Sequence, residues 1–223
     1  MALILNIETS TTNCSVSLSL KGETLFLKED YSSNYSHAER LHVFIDEVIK
    51  TSKYSLNDLN AIAVSKGPGS YTGLRIGVSS AKGLCYALDI PLISVSTLEA
   101  LAHQVNIDHG YIIPMLDARR LEVYSSIFDS NYKTIRAIEA EVLKESSFKE
   151  YLKDSKVYFI GSGVEKSKTI ITHNNTEFID NKLPSASTMG HLSYEKYKIN
   201  DIEDVAYFEP YYLKDFIALK SKS

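Results

Sequence analysis

The spacing of apolar residues along this chain changes several times, and each change marks an element. "LILNIE", residues 3–8, is a nearly unbroken apolar run, as a strand covered on both faces requires. From Cys14 the pattern alternates: Val16, Leu18 and Leu20 are separated by serines in "CSVSLSL", the period of a half-buried strand. Lys21-Gly22 supplies a turn, and "ETLFLKE" a third strand. The period then becomes helical over "SHAERLHVFIDEVIKTS", residues 36–52. Leu41, Phe44, Ile45, Val48 and Ile49 fall on one face there, and Ser36 and Glu39 stand at capping-box spacing. "AIAVS" (61–65) predicts a strand, "TGLRIGVSSAKGLCYAL" (72–88) a long helix and "PLISVS" (91–96) another strand. "STLEALAHQV" (96–105) reads as a short helix, with Ser96 and Glu99 again at capping spacing.

Near residue 110 the order restarts. "YIIPMLDA" is an apolar strand ending in an acid, "LEVYSSIF" alternates, "DSN" can turn and "KTIRAIEA" supplies a third strand. A helix around "ESSFKEYLKD", the strand "VYFIGSG", a strand at "EFID" and a helix over "SASTMGHLSYEKYKI" follow. Gly161 and Gly163 occupy the places of Gly67 and Gly69. Two related halves are expected, 1–108 and 109–223, the second degenerate and its C-terminal tail able to pack back on the first. Two β-β-β-α-β-α halves, with Glu8 and Asp117 closing their first strands, predict an α/β protein of the duplicated actin-like/sugar-kinase/Hsp70 (ASKHA) fold. In that fold the halves clasp ATP. The antiparallel hairpins argue against a single doubly wound sheet.

Composition narrows the function. The 223 residues carry a net charge of −4, so nothing global draws the chain to nucleic acid or anionic membranes. "MALILNIETS" lacks a basic leader and no apolar run approaches the ~20 residues of a membrane span, so a cytoplasmic protein is expected. The two cysteines, Cys14 and Cys85, read as buried and reduced. The six histidines show no metal spacing: His37 and His42 are five apart, and His103 has no partner at Ile107.

The candidate chemistry centres on "SKGPGSYTGLRIG", residues 65–77, between a strand and a helix. It resembles a phosphate loop but fails both familiar motifs. No Lys-Ser/Thr follows the glycines as Walker A demands, and Thr72 stands where the dinucleotide fingerprint requires glycine. A helix N-terminus remains able to attract an anion, or to be capped by Ser70 or Thr72. In the helix Gly73, Gly77 and Ala81 recur every four residues, with Ser80 beside them, forming a stripe of small residues. Each glycine inside a helix costs about 1 kcal/mol relative to alanine, so the stripe implies a closely approaching backbone. That backbone belongs to this chain's own sheet or first helix, or to another chain.

"LNIETS", "HAERL", "SKGPGSYTGLRIG", "VSTLEAL", "MLDARRLEVY" and "EPYYLKD" together resemble the bacterial TsaB (YeaZ-like) family, from Ala2 to about Lys220. These are the dimerisation subunits of the machinery that makes N6-threonylcarbamoyladenosine in tRNA. The resemblance implies the duplicated actin-like fold and kinship with the catalytic subunit that performs the transfer. That subunit binds metal through H-x-x-x-H on the helix after the strand equivalent to "PLISV". Here Thr97 and Leu101 stand at those positions, so no metal, no cofactor and no transfer chemistry are expected. Instead the resemblance implies a scaffold that binds the catalytic subunit through the helices 36–51 and 71–88. Its expected contacts are His37, Leu41, Phe44, Ile45 and Val48 on the first helix. On the second they are Tyr71, Gly73, Leu74, Ile76, Gly77, Ser80, Ala81 and Leu84. Replacing Gly77 by leucine is expected to abolish that binding and leave the chain folded. An ATPase accessory subunit is a further expected partner, with self-association when the chain is alone and tRNA met only through the complex. Glu8, Thr9, Ser10, Gly67, Gly69, Gly161 and Gly163 would line a vestigial nucleotide cleft. An ATP-dependent phosphotransferase using that cleft is the alternative. Glu8 replaces the aspartate of many relatives, and Lys214 the frequent arginine after Tyr-Leu.

Overall fold

The structure, a computed structural model, describes residues 2–31 and 37–214. Ser36, and with it the expected capping box at residues 36–39, lies outside the described residues. Five strands form the first sheet: β1 (Leu3–Glu8), β2 (Cys14–Leu20), β3 (Glu23–Asp30), β4 (Ala61–Gly67) and β5 (Leu92–Ser96). Their helices are α1 (His37–Thr51), α2 (Tyr71–Leu88) and α3 (Thr97–Ala102). The second sheet contains β6 (Tyr111–Asp117), β7 (Glu122–Asp129), β8 (Thr134–Val142), β9 (Val157–Ile160) and β10 (Thr176–Ile179). Its helices are α4 (Lys149–Leu152), α5 (Val164–Lys168) and α6 (Met189–Lys198).

The strand orders are β3-β2-β1-β4-β5 and β8-β7-β6-β9-β10, the same order twice. In each sheet the first strand runs antiparallel to the second and parallel to the fourth. Gly67 and Gly161, at corresponding strand ends, share φ values of +112° and +111°. This is a duplicated α/β fold of the actin-like class, as the restarted sequence pattern predicts.

The packing crosses between the repeats. Leu5, Ile7, Val16 and Leu18 on one face of the first sheet are covered by Leu41, Phe44 and Val48 of α1 and Val78 and Ala81 of α2. The opposite face presents Ile4, Ala61, Ala63, Ile93 and Val95, and Met189 of α6, late in the chain, closes it. Reciprocally, Leu98, Leu101 and Ala102 of α3 lie on Ile112, Leu116 and Ile160 of the second sheet. Burying one such side chain stabilises by about 1.5–3 kcal/mol, so each repeat depends on a helix supplied by the other.

Two local expectations are corrected. The serine side of β2, read as the polar side of a half-buried strand, is buried at Ser15, Ser17 and Ser19. The segment leading into α6 covers it: Ser17 Oγ donates to the Ala186 carbonyl at 2.7 Å, and Ala186 N donates to Ser15 Oγ at 3.0 Å. Asn6 Nδ2 donates to Ser17 and Ser19, and Ser193 Oγ donates to Asn6 Oδ1 at 2.7 Å, so this buried polar layer is satisfied. The helix expected around "ESSFKEYLKD" shrinks to the four residues of α4. Phe148 takes a left-handed conformation (φ 62°) just before it, and its ring packs edge-on against Phe159 at 5.5 Å.

Candidate partner face and inter-sheet cleft

The loop after β4 is shaped by the turn between β1 and β2. Ser70 N donates to the Ser10 carbonyl at 2.6 Å, and Ser70 Oγ accepts from Gly73 N at 3.3 Å, capping α2. A Cβ added at Gly69, Gly73 or Gly77 would lie under 3.0 Å from, respectively, the Ser10 carbonyl oxygen, the Thr9 carbonyl oxygen and Thr9 Oγ1. Thr9 Oγ1 in turn donates to the Gly73 carbonyl at 2.8 Å. The glycine stripe therefore admits this chain's own β1–β2 turn.

Several residues expected at a partner interface share this inward side. His37, Leu41, Phe44, Ile45, Val48, Gly73, Leu74, Gly77 and Ala81 are all buried within the chain. They lie on the faces that hold α1 and α2 to the first sheet. Tyr71, Ile76, Ser80 and Leu84 remain partly exposed. Beside them the most exposed residues of the helix pair include Ala38, His42 and Val43 on α1, and Thr72, Ser79, Gly83, Tyr86 and Ala87 on α2. His42 Nε2 and Ser80 Oγ, 3.3 Å apart, bridge the two helices. Gly83 differs from the buried glycines, because a Cβ there would meet no atom of the described residues within 4 Å.

Between the sheets lies a cleft of about 590 Å³. Its walls are the turn at Ser10–Thr12, the start of α2, the end of β6 at Asp117 with Arg119, and Tyr211–Lys214 near the C-terminus. Of the residues expected to line a nucleotide cleft, Ser10 and Gly69 do so, and Gly161 borders an adjoining cavity of about 430 Å³. The others face inward. Glu8 is fully buried; its Oε1 accepts from Ser10 N at 2.7 Å and Ser65 Oγ at 2.9 Å, and burial pushes its pKa up. The Thr9 hydroxyl turns to α2. Gly67 faces the Tyr211 carbonyl, and Gly163 packs on Met115.

The two strand-end acids already have partners within the chain. Glu8 is sealed beneath the turn, and Asp117 Oδ1 is engaged by Arg119 N at 2.6 Å and Lys166 Nζ at 2.8 Å. The Asp117–Lys166 pair escapes sequence reading because the partners are 49 positions apart. Thr97 and Leu101 on α3 are wholly buried, and among the described residues no group of three or more His, Cys, Asp or Glu is placed to hold a metal. Among the described residues, no helix is long and apolar enough to cross a membrane.

Comparison with known proteins follows the same lines. A family model described as TsaD, tRNA N6-adenosine threonylcarbamoyltransferase, matches residues 32–221. The tRNA threonylcarbamoyladenosine biosynthesis protein TsaB of Escherichia coli K12 is 30% identical over 225 residues, covering 97% of this chain and 96% of that protein. TsaB of Bacillus subtilis is 34% identical over 171 residues, 75% of this chain and 74% of that protein. The chain belongs to the TsaB family. Through the model match it also belongs to the wider family of the transferase. Among solved structures, YeaZ from Pseudomonas aeruginosa superposes with a TM-score of 0.84 over 96% of this chain and 100% of that one, at 23% identity. That likeness covers both sheets and so agrees with the duplicated fold. Membership in TsaB places the chain among tRNA threonylcarbamoyladenosine biosynthesis proteins.

Proposed function

We propose that this chain is a non-catalytic scaffold subunit that binds the threonylcarbamoyl-transferase catalytic subunit, in support of N6-threonylcarbamoyladenosine formation at tRNA adenosine 37. The docking surface is the exposed face of α1 and α2, with Ala38, His42, Ile76, Ser79, Gly83 and Ala87 at its centre. Gly83 is the observation that carries this reading. A glycine inside an 18-residue helix costs about 1 kcal/mol relative to alanine, and no neighbour among the described residues accounts for this one. A second helix approaching from outside does account for it, since a small residue lets two backbones pack closely. The corresponding helix pair of a related subunit offers a matching surface.

The absence of imidazoles at Thr97 and Leu101, and the sequestration of Glu8, support a role without chemistry of its own. In this reading tRNA is met through the complex, an ATPase accessory subunit joins it, and the same helix face makes a homodimer when the partner is absent. The halves 1–108 and 109–223 act as one body, with the partner helices in the first.

Co-expression with a catalytic relative bearing H-x-x-x-H tests the proposal. A stable heterodimer surviving gel filtration is the expected result. Separate elution of two folded proteins, or ATP turnover by the isolated chain, would contradict it and favour the phosphotransferase reading.

A further inference from the structure

The last described stretch, 203–214, touches both halves, and the two attachments differ in kind. On the first half it is fixed largely through its backbone. Glu203 N donates to the Leu92 carbonyl at 2.8 Å, and Tyr211 N donates to the Lys66 carbonyl at 2.7 Å. Lys82 Nζ donates to the carbonyls of Ala206 and Phe208 at 3.1 and 3.0 Å. Gly67 leaves room for this path, since a Cβ there would lie 2.7 Å from the Tyr211 carbonyl oxygen. Tyr212 completes the anchor: its ring lies 5.0 Å from that of Tyr71, and its hydroxyl accepts from Arg75 Nε at 3.2 Å. The Arg75 guanidinium sits 4.0 Å over the Tyr71 ring. Two residues later Lys214 reaches the second half and pairs with Glu122 at the start of β7.

This step from Tyr212 to Lys214 passes beside the inter-sheet cleft, which Tyr211, Tyr212, Leu213 and Lys214 all line. We propose that residues 212–214 form a latch over the cleft, with Tyr212 as its fixed end and the Lys214–Glu122 pair as its releasable fastening. Releasing the pair frees the lip formed by Asp117–Glu122 from the lip formed by α2 and the β1–β2 turn.

The two attachments have unequal strength by construction. The side chain of Lys214 is 44% exposed and that of Glu122 20%, so the pair is partly hydrated and screened by salt. The anchor combines several contacts, and its backbone hydrogen bonds, such as Tyr211 N to the Lys66 carbonyl, join uncharged groups that salt leaves intact. The charged groups facing the fastening are Arg119, which also lines the cleft, and Lys166, whose Nζ donates to the carbonyls of Arg120 and Glu122. Both cations sit on the second half. Loss of Lys214 therefore leaves the Glu122 carboxylate with no ion-pair partner on the tail among the described residues.

Residue-resolved amide exchange on the full chain at low salt tests the latch. The Arg119 and Glu122 amides, which donate to Asp117 Oδ1 and the Arg119 carbonyl, report the second lip, and the Tyr211 amide reports the anchor. Lys214→Glu should speed exchange at Arg119 and Glu122 by about two- to fivefold, the scale of one partly exposed ion pair, with Tyr211 unchanged. Glu122→Gln should act alike, and Lys214→Arg, which keeps the cation, should hold wild-type rates. High salt should bring wild type to the rates of Lys214→Glu and Glu122→Gln. Unchanged exchange at Arg119 and Glu122 in Lys214→Glu would overturn the latch. So would loss of protection at Tyr211 in step with them, a uniform rise along the whole chain, or the same rise in Lys214→Arg.

Discussion

Three glycines in one helix give a graded test of what the loop at residues 65–77 is for. Gly73, Gly77 and Gly83 all sit in α2, and intrinsic helix propensity favours alanine at each by about 1 kcal/mol. Their surroundings differ. At Gly83 an added methyl meets nothing within 4 Å, so Gly83→Ala should stabilise by about that full amount, or about 2–4 °C in Tm for a chain of this size. At Gly77 the methyl displaces Thr9 Oγ1, whose hydrogen bond to the Gly73 carbonyl is 2.8 Å. Losing that buried bond costs about 1–3 kcal/mol, and net destabilisation of about 1 kcal/mol remains after the propensity gain. At Gly73 the obstacle is the Thr9 backbone carbonyl itself, in a turn pinned by the Ser70–Ser10 hydrogen bond. Overpacking against backbone lies at or above the upper end of the usual 1–3 kcal/mol, leaving a net loss of about 2 kcal/mol or more. Urea unfolding followed by far-UV circular dichroism should order the midpoints Gly83→Ala, wild type, Gly77→Ala, Gly73→Ala, at constant m. Removing the hydroxyl as Thr9→Ala should couple favourably to Gly77→Ala by about 1 kcal/mol and leave Gly73→Ala unrescued, because only the first clash involves that oxygen. Equal effects at all three glycines, or equal rescue of both buried ones, would refute the account of the turn.

Glu8 adds a pH dependence. Burial raises its pKa above the ordinary 4.5, so the folded state favours the neutral acid and loses stability as pH rises through the raised value. Glu8→Gln should therefore be more stable than wild type at pH 8, with the gap closing as pH falls toward 4.5, measured by thermal melts across that range. Cys14 and Cys85 are buried thiols whose pKa values are pushed up to about 12, so neither should react with a thiol reagent at pH 8 until denaturant is added, when both should. A fragment of residues 1–108 lacks α6, leaving Ile4, Ala63, Ile93 and Val95 uncovered. It should aggregate or bind a hydrophobic dye, whereas a monomeric fragment with native dichroism would contradict the reciprocal packing.

The repeated fold was legible because strand period and the order of elements survive in both halves, down to the matching glycines at 67 and 161. Gly77 shows the limit. Its spacing announces a close approach, but a stripe of small residues looks the same whether it receives another subunit or a turn 60-odd positions away in the same chain. The helix propensity argument applied equally to Gly83, where the structure leaves the approach open. Ser15, Ser17 and Ser19 misled for a related reason: hydroxyls alternating along a strand signal water until a distant segment satisfies them, and here Ala186 and Asn6 do. Glu8 and Asp117 were visible as strand-end acids, yet whether an acid faces a cleft or is sealed under a turn depends on tertiary packing. The tail contacts at Tyr211, Tyr212 and Lys214 left no periodic trace, since they rest on single residues in an irregular segment.

The expected test at Gly77 moves, for these reasons, to Gly83. Leucine at position 77 would collide with Thr9 and damage the fold, whereas at position 83 the side chain projects into open space. The most direct measurement is the affinity of Gly83→Leu for the catalytic subunit, by calorimetry or sedimentation, beside a thermal melt of the isolated variant. Docking through this face predicts a melt at or above that of wild type and a loss of affinity of at least about tenfold, the effect of about 1.4 kcal/mol at a close helix contact. A folded Gly83→Leu chain that binds the catalytic subunit as tightly as wild type would contradict the proposed docking face.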